Sequence, residues 1–216
     1  SDLKTLKDKI YTTDNKVKHF FKKKDINSKL AEIIGKKFIE YREKWNKVNA
    51  LKLVTDFPLF LHIELNQTCN YECPHCIIGD SKLTKSLFKE SENLNFDYFK
   101  KICDEGHEHN CPSISPQGNN EPFLNKKIEE YIKYAHKSGF IDIMLNTNAS
   151  ALTDTRIKKT LDSGLTRIRF SLDAFKPETY AKVRVGSLPL KKVEKNIMRF
   201  LELKEKGELL FWAGFL

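Results

Sequence analysis

The sequence lacks any long run of apolar residues. A transmembrane helix needs roughly 20 consecutive apolar residues, and no segment of this chain approaches that length. Residues 1–25 are rich in lysine and lack the apolar stretch of a secretory signal. The sequence therefore predicts a protein with no membrane association, and we expect it in the cytoplasm.

Cysteine is scarce and unevenly placed. The chain has five cysteines among 216 residues, too few for a disulfide-dense scaffold. Three of them, Cys69, Cys73 and Cys76, lie close together in one short stretch. Disulfide frameworks join distant parts of a fold, whereas metal ligands converge on one point. The clustering therefore favours a metal site in a reducing compartment.

Acidic residues are outnumbered by basic ones, and the formal net charge is +9. A basic surface can bind nucleic acid or acidic lipid. The lysines are spread along the whole chain, however, whereas nucleic-acid-binding surfaces gather them on one face. We therefore expect an ordinary solvated surface and no nucleic-acid partner.

The pattern of apolar residues divides the chain into two parts. Residues 1–58 are charged and predict a helical N-terminal segment, in which residues from Leu30 to Trp45 recur at helical spacing and form one apolar stripe. Residues 59–216 alternate strand and helix. Strands are predicted over 59–65, 112–115, 141–145 and 168–172, with a fifth over 209–216. The fold class is therefore α/β.

Helix boundaries in the second part carry their usual signals. Thr153 is a predicted N-cap, and Gly139 and Gly164 are predicted to end helices. Repeated strand–helix units predict a parallel sheet with right-handed crossovers, curled into a barrel or left open. In either form ligands bind at the C-terminal ends of the strands, so residues that follow each strand should form the site.

The first predicted strand is followed by the three clustered cysteines, in the spacing Cys-x3-Cys-x2-Cys. Three thiolates on one loop can hold three irons of a cubane and leave the fourth iron open, although iron–sulfur clusters normally take four cysteines. An open metal position is typical of catalytic sites. The alternative is a zinc site that borrows His75 or a distant fourth ligand.

The cysteine motif at the end of the first strand resembles the signature of the radical S-adenosylmethionine (SAM) superfamily. This resemblance implies a partial (βα) barrel, a [4Fe–4S] cluster held by the three cysteines, and SAM bound to the open iron. It also implies reductive cleavage of SAM to a 5′-deoxyadenosyl radical that abstracts hydrogen from a substrate. An electron donor such as flavodoxin or ferredoxin is then required, and His75 is expected near the adenine.

Segments after the later strands extend the resemblance. Glu121 and Pro122 match the end of the family's "GGEP" segment, in which the glutamate holds the amino group of SAM. Asn119 and Asn120 stand where glycines are usual. Because asparagine adopts positive φ more easily than most residues, we expect the turn to survive there.

Two further segments match in the same order. Residues 146–149 resemble the family's "NTNG" segment, which makes Asn148 a candidate SAM contact. Ser171 and Asp173 match an "S-x-D-G" segment, whose serine and aspartate contact the ribose and methionyl parts of SAM in relatives. Arg184 lies in a "Y-x-x-x-R-x-G" stretch and is a candidate partner of the SAM carboxylate.

The resemblance covers about residues 59–201 and leaves three points open. The usual core has six strand–helix units, whereas this chain supplies at most five, so the chain is truncated, is naturally short, or relies on a partner that completes the barrel. The substrate is expected to be a peptide or a carbohydrate-pathway molecule. The alternatives are a zinc-binding interaction module and an inactive scaffold with the radical SAM fold.

Overall fold

The computed structural model describes residues 26–80, 82–84, 93–205 and 212–215. Its centre is a five-stranded sheet in the order β1-β2-β3-β4-β5, in which every neighbouring pair is parallel. The strands are β1 (Phe60–His62), β2 (Ser113–Ser115), β3 (Asp142–Thr147), β4 (Arg167–Phe170) and β5 (Trp212–Phe215). The predicted α/β class and partial (βα) barrel are confirmed.

Five α-helices connect or follow the strands in the described part of this region. They are α3 (Phe96–Glu108), α4 (Ile128–Lys137), α5 (Asp154–Leu161), α6 (Pro177–Val183) and α7 (Leu190–Glu205). Thr153 caps α5 as predicted, since its hydroxyl accepts a hydrogen bond from the backbone N–H of Arg156 at 3.3 Å. Gly139 and Gly164 follow α4 and α5 with φ of 99° and 89°, the left-handed conformation expected after a helix.

The two faces of the sheet differ sharply in polarity. Alternate residues on one face are apolar and fully buried in a core shared with α3, α4, α5 and α7, among them Ile114, Ile143 and Ile168. Because successive strand residues point to opposite sides, their neighbours face the other way. That second face, here called the inner face, carries polar residues such as Ser115 and Asn146.

The N-terminal segment contains two helices rather than one. These are α1 (Ile26–Ile34) and α2 (Lys36–Asn49), separated by Gly35 with φ of 79°. Leu30, Phe38 and Tyr41 form a small core that packs against Leu59 and Ile141, the residues just before β1 and β3. The two helices therefore cover the N-terminal end of the sheet.

Several predicted boundaries were wrong. The helical pattern predicted over 1–58 ends at Asn49 in the described residues, where the chain turns through Leu51 at φ of 56°. The first strand is Phe60–His62 rather than 59–65, because the chain beyond it leaves the sheet to form the cysteine loop. Helix α6 was not predicted.

Some predictions fall on residues that the structure does not describe. Residues 1–25, residues 209–211 and residue 216 lie outside the described ranges, although a fifth strand is present as Trp212–Phe215. The division of the chain at residue 58 stays a prediction. Among the described residues, none of the helices combines the length and the apolar character that crossing a bilayer requires.

Candidate functional site

The cysteine loop follows β1 and is folded back tightly on itself. The backbone N–H of Cys76 donates to the carbonyl of Cys73 at 3.0 Å, and the N–H of Gly79 donates to the carbonyl of Cys76 at 2.9 Å. A Cβ added at Gly79 would lie 2.3 Å from the backbone oxygen of Cys73. Only glycine therefore permits the loop to close in this way.

All three cysteines of the loop line one cavity of about 350 Å³. Cys73 is buried, whereas Cys69 and Cys76 are half-buried. Burial raises the pKa of the Cys69 and Cys73 thiols, although the N–H of Tyr71 and the guanidinium of Arg184 respectively oppose that rise. Metal ligation requires thiolates, so binding at this loop must release protons.

Glu121 reaches the cavity from the loop after β2 and is anchored by three hydrogen bonds. Its carboxylate accepts from the Thr147 hydroxyl at 2.7 Å, the Asn148 N–H at 2.7 Å and the Phe123 N–H at 3.1 Å. Burial nevertheless raises the pKa of Glu121 to about 7, against the opposing effect of these donors and of Arg184. The carboxyl is thus held rigidly where a cation would be a favourable partner.

The loop that carries Glu121 is not built as the sequence predicts. Neither Asn119 nor Asn120 has a positive φ among the described residues, so the expected left-handed turn is wrong. Side chains hold the loop instead. The Gly118 N–H donates to Asn120 Oδ1 at 2.9 Å, and the Asn119 N–H donates to Glu64 Oε1 at 2.6 Å.

The residues after β3 connect the sheet to the cysteine loop. The side-chain amide of Asn148 donates to Asn70 Oδ1 at 3.0 Å and approaches Cys69 Sγ at 3.9 Å. Ala149, which replaces the usual glycine, has φ of 60° and is fully buried. Asn148 therefore lies between the strand ends and the thiols, and its role as a SAM contact stays a prediction.

Asp173, Arg184 and His75 form a charged cluster at one side of the cavity. Asp173 Oδ2 lies 2.6 Å from Arg184 Nη2 and 3.3 Å from His75 Nε2. The guanidinium of Arg184 also contacts Cys73 Sγ at 3.7 Å. Asp173 thus fixes the positions of two groups that approach the cysteine loop.

The cavity brings together eight of the nine predicted site residues. Its lining includes Cys69, Cys73, Cys76, His75, Glu121, Asn148, Ser171 and Arg184. Asp173 is not part of the lining but pairs with two residues that are, Arg184 and His75. Their placement in one cavity agrees with the prediction, while their roles as ligands or SAM contacts stay predictions.

Eight further residues of the lining were not predicted as site residues, and three of these are Gln117, Asn146 and Thr147. Gln117 accepts a hydrogen bond from the Asn146 N–H at 2.5 Å, and Thr147 donates to Glu121. All three stand at a strand end, next to residues that were predicted. Asn146 could have been found from the alternation of side chains along β3: Ile143 and Leu145 are core residues, so the residue after Leu145 faces the other side of the sheet.

The donor set fits a cluster better than a single ion. No group of three or more His, Cys, Asp or Glu side chains within the described ranges is arranged to hold one metal ion. A tetrahedral zinc site needs its sulfurs in contact with the same ion at about 2.3 Å. The cysteines of a cubane each bind a different iron, so three thiols that line one cavity suit a cluster.

Unpartnered polar atoms in the same cavity fit a small polar ligand. Arg184 Nε, Asn120 Nδ2 and Asn146 Oδ1 are buried without a hydrogen-bond partner in the structure. Buried donors and acceptors are normally paired. A ligand with both an anionic and a cationic group, as in the methionyl part of SAM, would satisfy donors and acceptors together.

Comparison with known proteins gives a family and several relatives. Residues 63–210 match the model of the Radical SAM superfamily. The chain is 32% identical over 147 residues to a GTP 3′,8-cyclase of Sulfurovum sp., covering 67% of this chain and 43% of the relative. It is 24% identical over 149 residues to a tungsten-containing aldehyde ferredoxin oxidoreductase cofactor-modifying protein of Pyrococcus furiosus, covering 68% and 39% of the two chains.

Solved structures give the same fold. SuiB of Streptococcus suis, crystallised with S-adenosylmethionine, matches with a TM-score of 0.58 at 17% identity, over 77% of this chain and 36% of that chain. The present chain spans between 36% and 55% of the length of the curated relatives compared with it. The family match covers more than half of the chain and includes the three-cysteine loop. The chain therefore belongs to the radical SAM superfamily of enzymes, whose cofactors are a [4Fe–4S] cluster and SAM.

Proposed function

We propose that this chain is the catalytic core of a radical SAM enzyme, with Cys69, Cys73 and Cys76 as the ligands of its cluster. When bound, a reduced [4Fe–4S] cluster supplies the electron that cleaves SAM to a 5′-deoxyadenosyl radical, which abstracts hydrogen from the substrate. One observation carries the proposal: three thiols of one loop share a cavity with polar residues from three other strand ends.

The remaining residues of the cavity each bind a different part of SAM. Glu121 is the acceptor for the amino group, because it is a buried carboxyl next to unpartnered polar atoms. Arg184 binds the carboxylate through its unpartnered Nε, while Asp173 pairs with its Nη2. Ser171 and Asn148 position the ribose and methionyl parts. His75, half-exposed beside Asp173, lies near the adenine.

Formation of 5′-deoxyadenosine tests this proposal. The protein is reconstituted with iron and sulfide without oxygen, then given dithionite and SAM, and the product is measured by mass spectrometry. We expect formation by the wild type and loss in Cys76→Ala. Cys103→Ala is the matched control, since Cys103 is fully buried in the core on α3 and should not affect the product.

Two outcomes would contradict the proposal. Zinc instead of iron after anaerobic purification would favour the interaction module. A complete cluster without product would favour an inactive scaffold, or a core that needs further chain to work. A partner that completes the barrel stays a prediction, and adding the partner would then restore the product.

The electron donor and the substrate are further parts of the proposal. A low-potential protein such as flavodoxin or ferredoxin is the expected donor. The expectation of a peptide or carbohydrate substrate has no support from the sequence relatives. Several of them are named GTP 3′,8-cyclase, which makes GTP the first compound to add. An increase in 5′-deoxyadenosine above the substrate-free rate would identify it as a substrate.

A further inference from the structure

A second cavity lies at the other end of the inner face. Its volume is about 300 Å³, at the lower limit of pockets that hold small molecules. Its floor is formed by the first residues of β2, β3 and β4, which are Ser113, Asp142 and Arg167. Met144 and Arg169, two residues further along β3 and β4, also line it. Tyr41 and Trp45 of α2 cover it. It is therefore separate from the cysteine cavity at the C-terminal ends of the same strands.

The charge of this cavity is unbalanced. Arg42, Arg167 and Arg169 line it, whereas Asp142 is the single acidic residue in its lining. Asp142 is already paired with Arg167: its Oδ1 accepts from Nε at 2.5 Å and its Oδ2 accepts from Nη2 at 2.5 Å. The other two guanidinium groups therefore face the cavity without a carboxylate from its walls.

Arg169 is the more informative of these two groups. It is half-buried, and its Nε is shielded from solvent with no hydrogen-bond partner. Its Nη2 contacts only a thioether, Met144 Sδ, at 3.5 Å, and thioethers are weak acceptors. No carboxylate in the described ranges lies within ion-pair distance of it. Burial, and then the neighbouring charge of Arg167, lower the pKa of Arg169.

Arg42 is held in place by aromatic rings. Its guanidinium carbon lies 5.4 Å from the ring centre of Tyr41 and 5.2 Å from that of Trp45. Stacking of this kind fixes the plane of the group while its N–H donors stay available. Burying a cation without a partner is costly, and among the described residues the buried Nε of Arg169 has none. A negative group that enters the cavity would therefore stabilise the arrangement.

We infer that this cavity is a binding site for a small molecule that carries a phosphate or carboxylate group, with Arg169 and Arg42 as its ligands. Guanidinium groups bind both oxyanions through paired hydrogen bonds. The site goes beyond the proposed SAM chemistry and does not depend on it.

A larger cavity on the outer side of α2 does not support the same inference. It measures about 680 Å³ and is lined by Lys37, Lys44 and Lys47, but Glu40 and Glu43 lie among them. Its three lysines lie beside two glutamates of the same helix. The arginine cavity differs because its single carboxylate is paired with Arg167 and the Nε of Arg169 is buried without a partner among the described residues.

Isothermal titration of the full chain with inorganic phosphate tests the inference, in a chloride-free buffer of constant ionic strength. We expect one site in the wild type and at least tenfold weaker binding in Arg169→Met, which keeps a long side chain but removes the charge. Arg199→Met is the matched control, because Arg199 is exposed on α7 and paired with Asp154 and Glu202. It should bind phosphate as the wild type does.

A further variant separates loss of the site from loss of the fold. Arg169→Lys retains the charge but not the forked donors, so we expect weakened yet measurable binding. Quenching of Trp45 fluorescence by phosphate gives a second readout at the cavity itself. Absence of phosphate binding in the wild type would overturn the inference. Equal binding by the wild type and Arg169→Met would also overturn it, since it would place the anion on the general basic surface.

Discussion

Replacing Glu121 with glutamine should change how the stability of the protein depends on pH. Burial raises the pKa of this carboxyl from 4.5 to about 7. Between these values the folded state holds a proton that the unfolded state has released, so stability falls as pH rises. One unit of pKa corresponds to about 1.4 kcal/mol, so the loss amounts to about 3 kcal/mol and is complete above pH 7.

A glutamine resembles the protonated carboxyl and does not titrate. Because both carboxylate oxygens accept a backbone N–H, the amide nitrogen of glutamine faces one donor and adds a cost that does not depend on pH. We therefore expect the stability of Glu121→Gln relative to the wild type to rise by about 3 kcal/mol between pH 4.5 and pH 8, in the absence of cluster and SAM. Urea unfolding at a series of pH values measures the difference. Glu130→Gln, a change at an exposed carboxyl of α4, controls for the loss of one negative charge.

The result that would refute this reasoning is a constant difference between the two proteins across the pH range. Such a result would mean that the hydrogen bonds from Thr147, Asn148 and Phe123 fully compensate for burial. If the expected difference is found, the acidic group reduces the stability of the isolated chain. Its retention would then be explained by a cationic ligand, and SAM should bind more weakly to the variant.

Two other changes test the local structure. Gly79→Ala should abolish cluster loading, measured by iron content, because its Cβ would meet the backbone of Cys73. Gly35→Ala strains the turn between α1 and α2, where φ is 79°, but its Cβ meets nothing within 4 Å and it lies outside the cysteine loop, so it should load normally. Equal loading of both variants would show that the cysteine loop can shift. Thr153→Ala removes the N-cap hydrogen bond of α5 and should lower the free energy of unfolding by about 1 kcal/mol in urea, whereas an unchanged value would mean that water replaces the cap.

The fold could be predicted where local chemistry determines the local structure. Thr153 and Gly139 marked helix ends because a cap and a left-handed turn are requirements of the adjoining backbone. The cysteine spacing predicted the position of the site for a similar reason, since all three thiols lie on one short loop. Boundaries that depend on neighbouring elements, such as the early end of β1, could not be found in this way.

The partners of the site residues depended on contacts between distant segments. Asp173 was predicted to touch SAM, which stays a prediction, and its pairing with Arg184 and His75 was not foreseen. Asn120 was expected to supply a positive φ, but its side chain accepts a hydrogen bond from Gly118 instead. Arg169 carried no motif, and its lack of a counter-ion among the described residues is visible only when the strands are assembled. The spacing of residues in a sequence does not show which charged side chain lacks a partner in the fold.

The contacts of the cysteine loop have a consequence for the order of events during synthesis. The N–H of Glu72 donates to the carbonyl of Val185 at 2.8 Å, and Asn70 binds the hydroxyl of Ser150 at 2.9 Å. These partners leave the ribosome long after the cysteines do. The loop therefore reaches its final shape only when more than a hundred further residues, those between Glu72 and Val185, have emerged and folded. We expect the iron carrier to meet a completed pocket, unlike a zinc finger, in which the metal itself organises a nascent chain.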